Sequence, residues 1–282
     1  LLLILLLVGF RLSFNLIIAK ISPLIKIGFP SIFGIFAFLV IDYSDREFIQ
    51  LFLGLDSLGI YSVAYSFGML VVLFTDAFSL AWPPFFISYI NKQSEVKSIF
   101  PSILNAYLAL SFAILILIFY CSKPIFHLFT ESSYHSGYSI IGLISFSYLM
   151  KGVYLIFLPG FYFNKKLHLI SLIEWIAAIL NLILNLIMIP KLGILGAAIS
   201  TALSYLTLPI ISYFIGNKYL EINYQWINIL KTTSITLIAI TLIQMINEFK
   251  LYNQHLEYFV GGFIVVGSIY FLFKINKKHM IQ

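Results

Sequence analysis

Apolar runs of about twenty residues recur along this 282-residue chain, separated by short polar connections. A helix needs roughly 20 mostly apolar residues to cross the ~30 Å hydrocarbon core of a bilayer. Eight runs meet that length: A (26–44), B (57–85), C (100–120), D (138–163), E (168–189), F (194–216), G (230–247) and H (258–274). They are continuous rather than alternating, which favours helices over the strands of a membrane barrel. The composition agrees, with 61% apolar residues, 10% charged residues and a mean hydropathy of +1.01. Soluble domains carry about 25% charged residues. The fold class is therefore all-α, a polytopic helical membrane protein.

The first ten residues are apolar and no basic stretch precedes them, unlike a secretory signal peptide. They read as the tail of a span whose start lies upstream, and the chain as the C-terminal part of a longer protein.

The connections differ in sign. Arg11, Lys20, Lys26, Lys92, Lys97, Lys165, Lys166, Lys218, Lys231, Lys274, Lys277 and Lys278 fall on one set of ends, and only Arg46, Lys123, Lys191 and Lys250 on the other. Alternation over eight spans puts the first set and the C-terminus in the cytoplasm by the positive-inside rule. The net charge of +6 is thus a topology signal, scattered between apolar runs, and does not point to nucleic acid. Trp82, Tyr89, Tyr219, Tyr224 and Trp226 cluster near cytoplasmic span ends, as an aromatic belt does. Gly196, Ala197, Ala198, Ser200 and Thr201 give span F a face that a neighbour can approach closely. Trp82-Pro83-Pro84 is expected to end span B, and Pro159-Gly160 to kink span D.

Several functions are excluded or disfavoured. The connections leave no room for a nucleotide-binding domain, and no phosphate-binding Gly-Lys-Ser/Thr loop is present. One cysteine, Cys121, allows neither an internal disulfide nor a cysteine metal site. His127, His135 and Glu131 are too few to make a metal centre. No nucleophile, base and orienting group form a set, so no enzyme chemistry, metal or cofactor is expected.

Ionisable groups within a bilayer are costly and are functional candidates for that reason. Asp76 in span B, Lys151 in span D and Glu174 in span E stand out. At about 1.5 Å per residue, Asp76 lies roughly 24 Å below the outer face, and Lys151 and Glu174 each roughly 20 Å. The shared level predicts mutual pairing or a common polar cavity, in which a cationic Lys151 suits an anionic substrate such as a phosphate. Asn181 and Asn185, one turn apart, read as interhelical hydrogen-bonding groups. Asp45, Arg46 and Glu47 read as an ion pair holding an outer loop.

Some stretches recur in order: Lys26-Ile27-Gly28-Phe29-Pro30, Ser44-Asp45-Arg46, Gly59-Ile60-Tyr61-Ser62-Val63-Ala64-Tyr65, Ala81-Trp82-Pro83-Pro84-Phe85, Leu158-Pro159-Gly160-Phe161-Tyr162, and Pro190-Lys191 followed by Gly193-Ile194-Leu195-Gly196-Ala197-Ala198. In this spacing, over roughly residues 20–216, the chain resembles the polysaccharide biosynthesis (O-antigen flippase) family. Its superfamily also holds multidrug-and-toxin-extrusion antiporters and the peptidoglycan-precursor flippase. Glu47 departs from the pattern, since an aromatic residue more usually follows the Asp-Arg pair.

The resemblance implies two six-helix lobes around a cavity that opens alternately to each side. Residues 1–25 then comprise the end of a preceding span and a linker, 26–217 the second six-helix lobe, and 218–282 an additional two-helix hairpin with a cytoplasmic tail. The implied substrate is an undecaprenyl-diphosphate-linked oligosaccharide, moved across a bacterial inner membrane for polysaccharide or O-antigen synthesis. Lys151, Asp76 and Glu174 are the substrate-binding candidates, and membrane lipids and glycan polymerases the implied partners. A drug or cation antiporter of the same fold is the alternative, and predicts a cavity dominated by Asp76 and Glu174. A membrane glycan polymerase or acyltransferase ranks lower, because it needs a sizeable outer loop.

Overall fold

Helix is the only regular structure that satisfies every backbone group within one segment in the absence of water. The computed structural model describes the backbone of residues 14–249 and 254–280, and within these the side chains of 32–92, 94–246 and 259–276. The apolar run at 1–10 lies outside the described residues. The helices are α1 (Phe14–Gly68), α2 (Val72–Ile87), α3 (Gln93–Phe129), α4 (Tyr138–Ile156), α5 (Pro159–Phe163), α6 (Leu167–Leu192), α7 (Ile194–Gly216), α8 (Trp226–Phe249) and α9 (Gln254–Met280). No strand occurs among the described residues.

The α1 helix hides a reversal. Gly54 has φ 84° and ψ 178°, a region that is essentially restricted to glycine. Asp45 and Tyr61 are 16 residues apart and would lie about 24 Å apart on an unbroken helix. Instead the Tyr61 hydroxyl donates to the Asp45 carboxylate, and Tyr65 reaches Asp42. Such pairs occur only if the chain folds back at Gly54, so α1 is a helical hairpin with one residue in its turn. The α6–α7 connection is equally short, with Gly193 at φ 62°. Seven helical stretches are long and apolar enough to cross a membrane, and the first, Ile32–Ile87, makes two passes because of Gly54. This makes eight passes among the described residues.

Several expectations need correction. The segment 45–56, read as an outer loop, is helical on both sides of Gly54. Span B is interrupted by a 3-10 turn at Met69–Val71, and helix then continues through Pro83 and Pro84 to Ile87. Packing overrides the prolines there: Trp82 is 3% exposed, its Nε1 donates to the Leu155 carbonyl at 2.8 Å, and it packs against Phe78, Phe86 and Phe100. Trp82 and Tyr224 are thus core residues, not members of an interfacial belt. Span F has the expected limits, and span D breaks at Phe157–Leu158, just before Pro159.

The second arm of α1, the first arm and helices α4, α6 and α7 form the body that carries the site. The small residues of α7 are buried, and α7 packs on both α4 and α6. Helices α8 and α9 pack on each other and on α3. Outward-facing side chains such as Leu73, Leu80, Phe259 and Phe263 are more than 70% exposed and apolar, which suits a lipid surround. The protein is a multi-pass helical membrane protein.

Candidate functional site

The first arm of α1 presents Gly34, Phe38, Asp42, and Asp45 with Arg46 at three- and four-residue intervals, so they share one inward face. Tyr148, Lys151 and Tyr154 repeat at three-residue intervals on α4 and face them. The Tyr205 hydroxyl donates to Asp42 Oδ1 at 2.7 Å; the Tyr148 and Tyr65 hydroxyls lie 3.3 and 3.5 Å from the same oxygen and 2.8 Å from each other, and since each carries one proton, the three contacts share two donors. One carboxylate is therefore ringed by hydroxyls from the second arm of α1, from α4 and from α7. Arg46 donates to the Asp42 carbonyl, lies 3.6 Å from Asp45 Oδ1 and stacks over Tyr65 at 4.5 Å. The Asp45–Arg46 pair exists as expected, but it braces a helical hairpin, and Glu47 is exposed.

Phe38 links this cluster to a second one. Its ring lies 6.1 Å from Tyr205 and 6.4 Å from Tyr154, and the Lys151 ammonium sits 4.8 Å above it. Glu174 is 7% exposed, and its Oε1 accepts the Tyr154 hydroxyl at 2.8 Å. A cavity of about 200 Å³ opens here, walled by Gly34, Phe38, Lys151, Tyr154, Tyr162 and Glu174 among others. Gly34 lies close under the Glu174 carboxylate, which would have to swing aside for a Cβ at this position. Lys151 interacts electrostatically with both Glu174 and Asp42, yet no carboxylate lies within 4 Å of it among the described residues.

Lys151 and Glu174 are thus brought together, and Asp76 is not. The buried stripe of α2 runs through Thr75, Trp82 and Phe86. Asp76 follows Thr75 by one residue, which turns it about 100° away on the helix, and it is exposed. Residue count along a span carries no information about direction around the helix axis.

Asn181 and Asn185 meet Ser44 of α1: Ser44 Oγ donates to Asn181 Oδ1 at 2.9 Å, and Asn185 Nδ2 reaches both Asn181 Oδ1 at 3.1 Å and Ser44 Oγ at 3.3 Å. They bond between helices as expected. His127 and His135 stack with ring centroids 3.8 Å apart. The sequence does not single out Asp42 and its tyrosines, because the groups that meet there lie far apart in the chain. The three-residue spacing of Tyr148, Lys151 and Tyr154 was a signal available in the sequence.

No family model matches the chain. Over 103 residues, 36% of the chain, it is 37% identical to an uncharacterized membrane protein of Methanocaldococcus jannaschii, covering 19% of that protein. Over 237 residues, 82% of the chain, it is 22% identical to the protein named "Probable low-salt glycan biosynthesis flippase Agl15" of Haloferax volcanii, covering 50% of it. The chain spans at most half the length of these two relatives, and both are archaeal.

Proposed function

We propose that this chain forms part of a membrane transporter that moves a lipid-linked glycan from one leaflet to the other, with Lys151 receiving the anionic diphosphate of the carrier lipid. The observation that carries the reading is Lys151 itself. It is a cation in a cavity between spans, held over an aromatic ring, with no carboxylate within 4 Å among the described residues. An ammonium so placed favours an anionic group, since a charge left unpaired in a low-dielectric site is costly. The distant likeness to a glycan biosynthesis flippase supports the same reading. Because both relatives are archaeal, the proposal concerns lipid-linked glycans in general rather than bacterial O-antigen.

The antiporter alternative expects Asp76 and Glu174 to dominate the cavity, and Asp76 lies outside it. The polymerase or acyltransferase alternative needs a large outer loop. The reversals at Gly54 and Gly193 are single residues, and only the 3-10 turn Ser132–Gly137 with its flanks joins α3 to α4. The reading is thus of a transporter rather than an enzyme. The lysine distribution supports a cytoplasmic C-terminus.

The test uses the full-length gene in a host whose own glycan flippase is deleted. Wild type is expected to restore surface glycan, and Lys151→Ala to fail at equal protein abundance. Failure of wild type with several glycan types, together with drug efflux abolished by Glu174→Gln, moves the assignment to the antiporter.

A further inference from the structure

Two imidazoles meet where α3 gives way to the α3–α4 connection. His127 lies in the last turn of α3 and His135 in the 3-10 turn Ser132–Gly137. Their rings are parallel to within 5°, with centroids 3.8 Å apart, and both side chains are half-buried. The stack holds the connection where it grips the second arm of α1. Phe126 lies edge-on to Phe67 at 5.0 Å, and Gly137 fits under Ile60 and Ala64. The lysine distribution assigns this connection to the outer face. None of these residues lines the Lys151 cavity.

Neutral rings suit this arrangement and doubly protonated ones do not. Two imidazolium rings would bring like charges to 3.8 Å, which is repulsive at any dielectric constant. Lys123, one turn earlier on α3, adds a third positive charge, and the Tyr138 ring of α4 keeps its ammonium there at 5.7 Å. His127 Nε2 is buried with no hydrogen bond among the described residues, so a proton there becomes a buried donor without an acceptor. His135 Nε2 lies 3.2 Å from the Thr130 carbonyl, which can take one proton only.

The surroundings offer no compensating anion. Glu131, just before the turn, is exposed. The second arm of α1 meets the connection through Ile60, Ala64 and Phe67, none of them ionisable. Among the described residues, α9 meets α3 about two turns lower, where Gly261 and Gly262 face Tyr120.

We infer that the His127–His135 stack is a pH-sensitive latch on the outer face, closed while the pair holds at most one added proton and opened when it takes up the second. The closed connection binds fewer protons than the open one, so opening is favoured as pH falls through and below the histidine range, at about 6.5. Opening frees the outer ends of α3 and α4 from the second arm of α1.

Hydrogen exchange of the full-length protein in lipid nanodiscs, corrected for the intrinsic pH dependence of amide exchange, tests this. Exchange over 130–137 is expected to rise about tenfold or more between about pH 7.5 and about pH 5, while the middle of α4 stays protected. The double variant His127→Phe with His135→Phe keeps two rings and removes both titrations, and is expected to stay protected at both pH values. Equal protection of the wild type at both pH values, or opening of the double variant in acid, overturns the latch. Histidine-selective NMR of the wild type decides even if that variant fails to fold. His127 and His135 are expected to titrate in two steps more than about one pH unit apart, as coupled sites do. Two overlapping, independent steps overturn the latch.

Discussion

Tyr205 and Asp42 are 163 residues apart in the chain, yet the Tyr205 hydroxyl donates a 2.7 Å hydrogen bond to Asp42 Oδ1. That bond ties α7 to the first arm of α1, and the Tyr148 bond ties α4 to the same oxygen. The wall of the candidate site is held as one unit by a carboxylate shared among helices.

Removing the shortest of these bonds should loosen that wall. Tyr205→Phe keeps the ring and deletes the donor, and a hydrogen bond to a charged group contributes about 1.5–3 kcal/mol. We expect Tyr205→Phe to cost stability in that range, and Tyr65→Phe, whose bond is 3.5 Å, to cost less. Combined with Asp42→Asn, the Tyr205→Phe loss should be less than additive. Denaturant titration of the purified variants measures all three.

Gly54 makes the reversal of α1 in open space, since a Cβ there meets no atom within 4 Å apart from its chain neighbours and its own stretch of helix backbone. Any loss on substitution is therefore conformational. Gly54→Ala is expected to cost about 1–3 kcal/mol, the range for a residue held in such a sparsely populated region. Gly54→Asn should not rescue it, because asparagine tolerates ψ near +45° and this position has ψ 178°. The same denaturant titration decides; an unchanged Gly54→Ala protein contradicts the hairpin.

Gly34 should prove sensitive for the opposite reason. A side chain there has to push aside the Glu174 carboxylate, which holds the Tyr154 hydroxyl. We expect Gly34→Val to reduce restored surface glycan about tenfold or more at equal abundance, by filling the cavity. Gly59→Val serves as the control, since a Cβ at Gly59 meets nothing within 4 Å.

Trp82 anchors the proline-containing end of α2. Trp82→Ala is expected to cost about 3–5 kcal/mol, as for other large buried aromatics. Trp82→Phe should cost less, since it keeps an aromatic ring and loses the bond to Leu155 and part of the packed volume. Asp76→Asn, on the exposed face of the same helix, should stay within about 0.5 kcal/mol of wild type. A large loss in Asp76→Asn contradicts the exposed placement of this side chain.

Much of the fold was legible in the sequence. Apolar runs long enough to span a bilayer dictated helices, and span F and the break before Pro159 fall where the residues place them. The candidate site was half legible: Lys151 and Glu174 were visible as charges inside apolar runs, and so was the interhelical role of Asn181 and Asn185. Helix periodicity and hydropathy are local properties, carried by neighbours within about two turns.

Which helix faces meet was set by long-range packing. The hairpin at Gly54 brings Asp45 onto Tyr61, and the packing of helices places Asp42 among tyrosine hydroxyls from distant stretches of the chain. It packed Trp82 into the core against the helix-ending tendency of two prolines. It turned Asp76 away from a cavity that residue counting had placed at the same height. Each of these outcomes depends on contacts between residues far apart in the chain, and hydropathy carries no term for the direction in which one helix faces another.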